Sequence, residues 1–225
     1  MKLRNNKKAL AVASLLLVAV ITVAGVIAYF SQSDRITNHF STVEPSIYLD
    51  ENFNPGDKWV PGETKKKEVK FGNSSDFDTL LRFRLDVSLW DDKDPSQEVT
   101  PIPTGPNQEP FYTLIWNNND DPGTIDTSNW YISEKDGVIY YYYKHVLESG
   151  TGETPLTLKG IKFADWISND TEGIWKDYSN YTLKVDVHAE MIQTDEDARA
   201  NAIENDGWLT ATIDNNNNVN WSSQK

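Results

Sequence analysis

The chain predicts an all-β protein, an antiparallel β-sandwich of jelly-roll type with one or two short helices. Three observations carry this. Two long segments alternate apolar and polar residues with period two, the signature of half-buried strands. Turn pairs (Pro55-Gly56, Pro61-Gly62, Gly72-Asn73, Asp136-Gly137 and Ser149-Gly150) punctuate the chain between candidate strands. Helical periodicity is scarce and there is no strand–helix–strand rhythm, which argues against a parallel sheet.

The strongest strand covers residues 81–89, where Leu81, Phe83, Leu85, Val87 and Leu89 alternate with Arg82, Arg84, Asp86 and Ser88. A second covers 181–191, where Tyr181, Leu183, Val185, Val187, Ala189 and Met191 alternate with polar side chains. A third, aromatic strand runs over 138–146 through Tyr140, Tyr141, Tyr142 and Tyr143, and Asp136-Gly137 before it suits a tight hairpin. Weaker strands are read at 30–40, 46–49, 65–71, 111–116 and 208–213. Residues 91–110, rich in Asp and Pro, read as one long loop, and 117–123 as another. A capping residue and acids in Thr194-Asp195-Glu196-Asp197 announce a short helix over 198–204, which Asp206-Gly207 stops. A helical turn is expected around 163–167. Residues 29–214 read as a single β-sandwich domain, and 215–225, with its run of Asn, as a flexible tail.

The first 28 residues have a different character. Lys2, Arg4, Lys7 and Lys8 precede nineteen uncharged residues, from Ala9 to Ile27, and a slim exit at Val26-x-Ala28. A basic start, an apolar run and small residues before the break make an export signal, with cleavage expected between Ala28 and Tyr29. A permanent anchor is the competing reading, because nineteen apolar residues nearly span a bilayer. Either way the basic end stays inside and the remainder is exported. The expected location is extracellular, with membrane contact limited to the signal before cleavage.

Four of the 21 Lys and Arg residues lie in the first 28 positions against none of the 34 Asp and Glu, so the remainder carries a formal charge of −17. Such a surface repels nucleic acid and anionic lipid. Eight Trp, ten Tyr and eight Phe are ample core material. There is no cysteine, so packing, metal or assembly must hold the exported domain, and thiolate sites and thiol nucleophiles are excluded. An exported chain without cysteine points to a Gram-positive surface.

No catalytic, cofactor or metal site is identifiable. The three histidines, His39, His145 and His188, form no H-E-x-x-H pattern. His188 and Glu190 share one strand face and are read as surface polar residues. Asp91, Asp92, Asp94 and Glu98, and the segment 117–121, are oxygen-rich loops without the spacing of a calcium hand. Trp90, Trp116, Trp130, Trp175 and the Tyr140–Tyr143 run are read mainly as core and cross-strand pairs, with a sugar-stacking platform as the alternative. The sequons at Asn73, Asn169, Asn180 and Asn220 are read as chance matches in an Asn-rich chain.

Several segments in order resemble the TasA/camelysin-like exported proteins. These are the signal exit through Tyr29-Phe30, Thr37-Asn38-His39-Phe40, Trp59-Val60-Pro61-Gly62-Glu63, Asn73-Ser74-Ser75, Leu81-Arg82, Asp136-Gly137 with Tyr140 to Lys144, and Val187-His188-Ala189-Glu190 to Gln193. The resemblance implies a Gram-positive surface or biofilm-matrix protein, processing by a SipW-type signal peptidase, and fibre formation. Camelysin is classed as a metallopeptidase, so the resemblance also carries an enzymatic alternative, for which no zinc ligand transfers to this chain. An adhesin is the third alternative.

Assembly has a candidate segment. Phe30, Ile36, Phe40 and Val43 lie in a stretch short of Pro and Gly that becomes the free N-terminus after cleavage. An extended segment of this kind pairs with its own sheet or with the exposed edge of a neighbour.

Overall fold

The computed structural model describes the backbone of residues 47–50 and residues 61–167 and 181–223. The cleavage pair Ala28 and Tyr29, the segment holding Phe30, Ile36, Phe40 and Val43, His39 and Trp175 lie outside the described residues.

Eleven strands are present among the described residues. They are β1 (Ile47–Asp50), β2 (Thr64–Phe71), β3 (Thr79–Asp91), β4 (Asp94–Glu98), β5 (Tyr112–Trp116), β6 (Trp130–Lys135), β7 (Val138–Tyr143), β8 (Leu158–Phe163), β9 (Tyr181–Gln193), β10 (Thr210–Ile213) and β11 (Val219–Ser222). One sheet has the order β1-β2-β8-β5. In the other, β3 is flanked by β9 on one side and by β7 then β6 on the other, with β4 sharing the latter edge. All pairings are antiparallel. The two sheets face each other, as an antiparallel sandwich requires.

Phe83 of β3 is the centre of the packing between them. Its ring centroid lies 4.9 Å from Phe71 on β2, 4.9 Å from Trp130 on β6 and 4.8 Å from Tyr141 on β7, where the rings stack. Leu81, Val187 and Ala189 bury themselves in the same cluster, and Leu89, Leu183 and Val185 continue it toward Phe111, Ile161 and Phe163. The period-two pattern therefore assigns the inward face of β3 and β9 correctly. Where the pleat puts odd-numbered residues in the core, Arg82 and Leu80 must face outward.

That outward face is covered. The helix α1 (Glu196–Asn205) and the β10–β11 hairpin lie over it, and Leu80, Tyr142, Val146, Ala202, Trp208, Ala211, Val219 and Trp221 form a separate buried cluster. The expected helix is present, and Asp195 caps it by accepting from the Ala198 amide at 2.9 Å. The flexible tail expected at 215–225 is not what forms. Asp214 Oδ1 accepts from the Asn216 and Asn218 amides, which closes a turn, and β11 returns beside β10. Trp221 is then buried and donates from Nε1 to the Tyr143 carbonyl at 2.7 Å. An Asn-rich turn between two short strands looks like a tail in composition alone.

Two further expectations change. Residues 91–110 are not one loop, because β4 pairs back on β3 and a short 3-10 turn spans Pro106–Gln108. Residues 163–167 form the end of β8 and a single turn closed by the Ile167 amide on the Ala164 carbonyl. The hairpin at Asp136-Gly137 joins β6 to β7 as expected. Both residues have positive φ, 53° and 78°, which the two-residue primed turn demands.

Candidate functional site

The sheet edges are the surfaces that these elements leave open. Strand β9 pairs with β3 residue for residue, from Tyr181 opposite Asp91 to Gln193 opposite Thr79. Over residues 182–193 it has no ladder partner on its other side among the described residues. Its inward side chains Leu183, Val185, Val187 and Ala189 are buried, so the edge borders finished core and not solvent-filled space. A long regular strand edge is a template for another strand.

The outward face of β3 and β9 carries charge in opposed pairs. Arg84 stands opposite His188, and Asp86 opposite Asp186. Asp86 accepts from Arg84 through Oδ1, and Asp86 Oδ2 lies 2.9 Å from His188 Nε2. The other ring nitrogen, His188 Nδ1, is buried without a hydrogen-bond partner among the described residues. In the neutral ring Nε2 is then the donor and Nδ1 the bare acceptor. Lys184 sits over the Trp90 ring, 4.2 Å from its centroid.

Nearer the covered region, Arg82 Nε donates to Glu190 Oε2 at 2.9 Å, and Nη2 donates to the Asp206 carbonyl at 2.9 Å. The Arg82 guanidinium is sandwiched by rings, 4.8 Å from the Tyr140 centroid and 4.5 Å from that of Trp208. His188 and Glu190 do share one face, as their spacing requires, but each is engaged by its own partner. Among the described residues, no three His, Asp or Glu side chains are grouped so as to hold a metal.

The remaining candidates resolve as structure. Trp116 and Trp130 are buried core, as are Tyr142 and Tyr143, while Tyr140 and Tyr141 are half-buried. Burial pushes the phenols of Tyr141, Tyr142 and Tyr143 above their ordinary pKa. The acidic residues of the β3–β4 turn are engaged by protein donors: Asp91 accepts from the Lys93 amide and Asp94 from Ser96 within the hairpin, and Asp92 accepts from the Thr182 hydroxyl of β9. Asn118 and Asp121 cap their own loop in the same way. Asn73 is buried, and its Nδ2 donates to the carbonyls of Phe77 and Leu147. That position is closed to a glycan. His145 packs edge-on against Tyr143.

The fold and its open edges define an all-β, antiparallel sandwich with a covered outer face. No family model, curated protein or solved structure matches the chain.

Proposed function

We propose that this chain is an exported structural protein of the cell surface or biofilm matrix, a subunit that assembles into fibres by strand addition. The observation that carries the reading is the outer edge of β9, which over residues 182–193 has no ladder partner among the described residues. The stretch from Phe30 to Val43 is a suitable donor in length and chemistry. Phe30, Ile36, Phe40 and Val43 supply the apolar side chains, with Ser, Thr, Gln and Asn between them. Donation between neighbours is head-to-tail, and a contact of that kind propagates as a filament. Export by the basic and apolar N-terminus, with SipW-type processing after Ala28, sets the donor free.

Electron microscopy and sedimentation of the chain beginning at Tyr29, and of the same chain lacking residues 29–43, test the reading. The intact chain is expected to form fibres, more readily with added salt or acid as repulsion between acidic subunits is screened or neutralised. The deletion is expected to stay a folded monomer, and Ile36→Pro to weaken fibres by removing a ladder donor. Equal polymerisation by the deleted chain would rule out this segment as the connector. N-terminal sequencing of the exported protein checks the expected Tyr29 start.

A further inference from the structure

Strand β3 has a second unpaired stretch, on the side away from β9. There β7 pairs with it at Arg82 and Phe83, and β4 at Trp90 and Asp91. The Val99 amide also donates to the Leu89 carbonyl at 2.7 Å. Between these anchors, residues 84–88 have no ladder partner on this side among the described residues. The burial of β3 also drops over this stretch, as it does at Trp90 and Asp91. Residues 79–83 and Leu89 are buried, and 84–88 are each half-buried.

A cleft of about 580 Å³ opens at this gap. Leu85 and Val87 form one wall, Ile139 and Tyr141 the opposite one, and Tyr112 and Leu114 of β5 line it from the other sheet. Ile139 is 45% exposed, as an apolar side chain would be at the lip of an unfilled slot. Backbone donors and acceptors on the β3 edge thus border a cleft of mixed apolar and polar lining, where an added strand can pair with them. Five residues of strand edge span roughly 17 Å, which suits a short extended peptide. Alternate side chains of that peptide would point inward to Tyr112, Leu114 and Tyr141. Burial raises both phenols above their ordinary pKa, so they stay neutral hydrogen-bond donors.

Charge decides what kind of peptide fits. Asp86 and Glu98 are the charged residues at the cleft. Asp86 is already held by Arg84 and His188. Glu98 is exposed, has no ion-pair partner among the described residues, and shares its hairpin with Asp92 and Asp94. The chain as a whole carries −13, so a second acidic copy is the poorer occupant.

We propose that this cleft docks a short extended segment of another protein, apolar at alternate positions and carrying a basic side chain that meets Glu98. The site lies across β3 from the β9 edge and does not depend on the assembly reading.

Fluorescence anisotropy of a labelled, capped peptide, Lys-Val-Thr-Val-Thr-Lys, against the full chain in detergent micelles tests the proposal. Measurements at about 0.15 M salt suppress diffuse charge attraction. Saturable binding is expected. It should be lost when the central Thr of the peptide is replaced by Pro, which removes a ladder donor. Glu98→Lys should weaken it about fivefold, the scale of one exposed ion pair. Ile139→Lys, at an exposed position, should weaken it further while the circular dichroism stays unchanged. Absence of saturable binding overturns the proposal. So does equal binding of the proline peptide, insensitivity to both substitutions, or tighter binding of a peptide covering residues 30–43 than of the cationic one.

Discussion

Arg82 on β3 and Glu190 on β9 stand directly opposite each other, and the guanidinium donates to a single carboxylate oxygen, Glu190 Oε2. The Arg82 side chain is 5% exposed and that of Glu190 25%. The pair lies under Trp208 at the junction between the sheet and its covering layer. Removing one member leaves the other charge without its counter-ion. Arg82→Ala is expected to cost about 3–5 kcal/mol in urea unfolding, the range for breaking a buried pair. Glu190→Gln should cost less, because the Asp206 carbonyl and the Tyr140 and Trp208 faces still hold the guanidinium. A double substitution of both residues by Met should recover most of the Arg82→Ala loss, which a purely additive response would contradict.

Phe83→Ala should destabilise by about 3–5 kcal/mol, because the ring is fully buried and its neighbours on three strands cannot all collapse into the space. Chemical unfolding measures this directly. A variant as stable as the parent would mean that the inter-sheet core lies elsewhere.

Trp221→Ala, or truncation before Asn215, should destabilise strongly, on the order of 3–5 kcal/mol for the buried ring. Both remove the bond to the Tyr143 carbonyl and uncover Tyr142, whose ring lies 4.9 Å from that of Trp221. A dispensable tail would leave the thermal midpoint unchanged.

Gly160→Ala should destabilise by about 1–3 kcal/mol through overpacking. Gly160 lies opposite both Lys66 of β2 and Ile115 of β5, where both ladders shift register. A Cβ there would sit 2.5 Å from the Lys65 carbonyl oxygen, and backbone must move to admit it. Comparison of denaturant midpoints tests this. Gly137→Ala is the instructive contrast: nothing surrounds its Cβ position, but its φ of 78° strains any other residue.

Acid should loosen two turns. The hydroxyl of Ser128 bonds the Asp126 carboxylate and holds it below the usual Asp pKa, and Asn218 does the same for Asp214. For a depressed carboxylate, the stabilisation is fully present above the unfolded value of about 3.9 and is lost as pH falls through the folded value. Protection from amide exchange at β6 and at the β10–β11 hairpin, measured against the unfolded chain, should therefore fall below about pH 4. In Asp126→Asn, the β6 part of that acid response should be flattened.

The particular elements show what could be read in advance. Strands β3 and β9 were legible because each buries one face against a continuous core, and a two-residue period records that directly. The helix start was legible from Asp195 and the acids behind it, and the β6–β7 turn from Asp136-Gly137, since capping and positive φ are local demands. Strand β8 was not legible. It lies between β2 and β5, and Gly160 at the register shift interrupts its alternation. Strand β4 has no apolar alternation, its Asp94, Ser96, Gln97 and Glu98 are exposed, and it pairs because β3 is beside it. The Asn-rich turn hid β11, although Val219-x-Trp221 is a short period-two signal.

The sequence by itself determined the β class, the inward faces of the two longest strands, the helix cap, the tight hairpin and a fold without disulfides. These follow from side-chain period, turn chemistry and composition, which act over a few residues. Only the tertiary structure decided that Arg82 meets Glu190, that the C-terminal hairpin covers the outer face, and that among the described residues β3 has no ladder partner over residues 84–88 on the side away from β9. Each of these joins segments far apart in the chain. Pairing of that kind depends on which surfaces remain to be buried once the sheets have formed, and no local pattern records it.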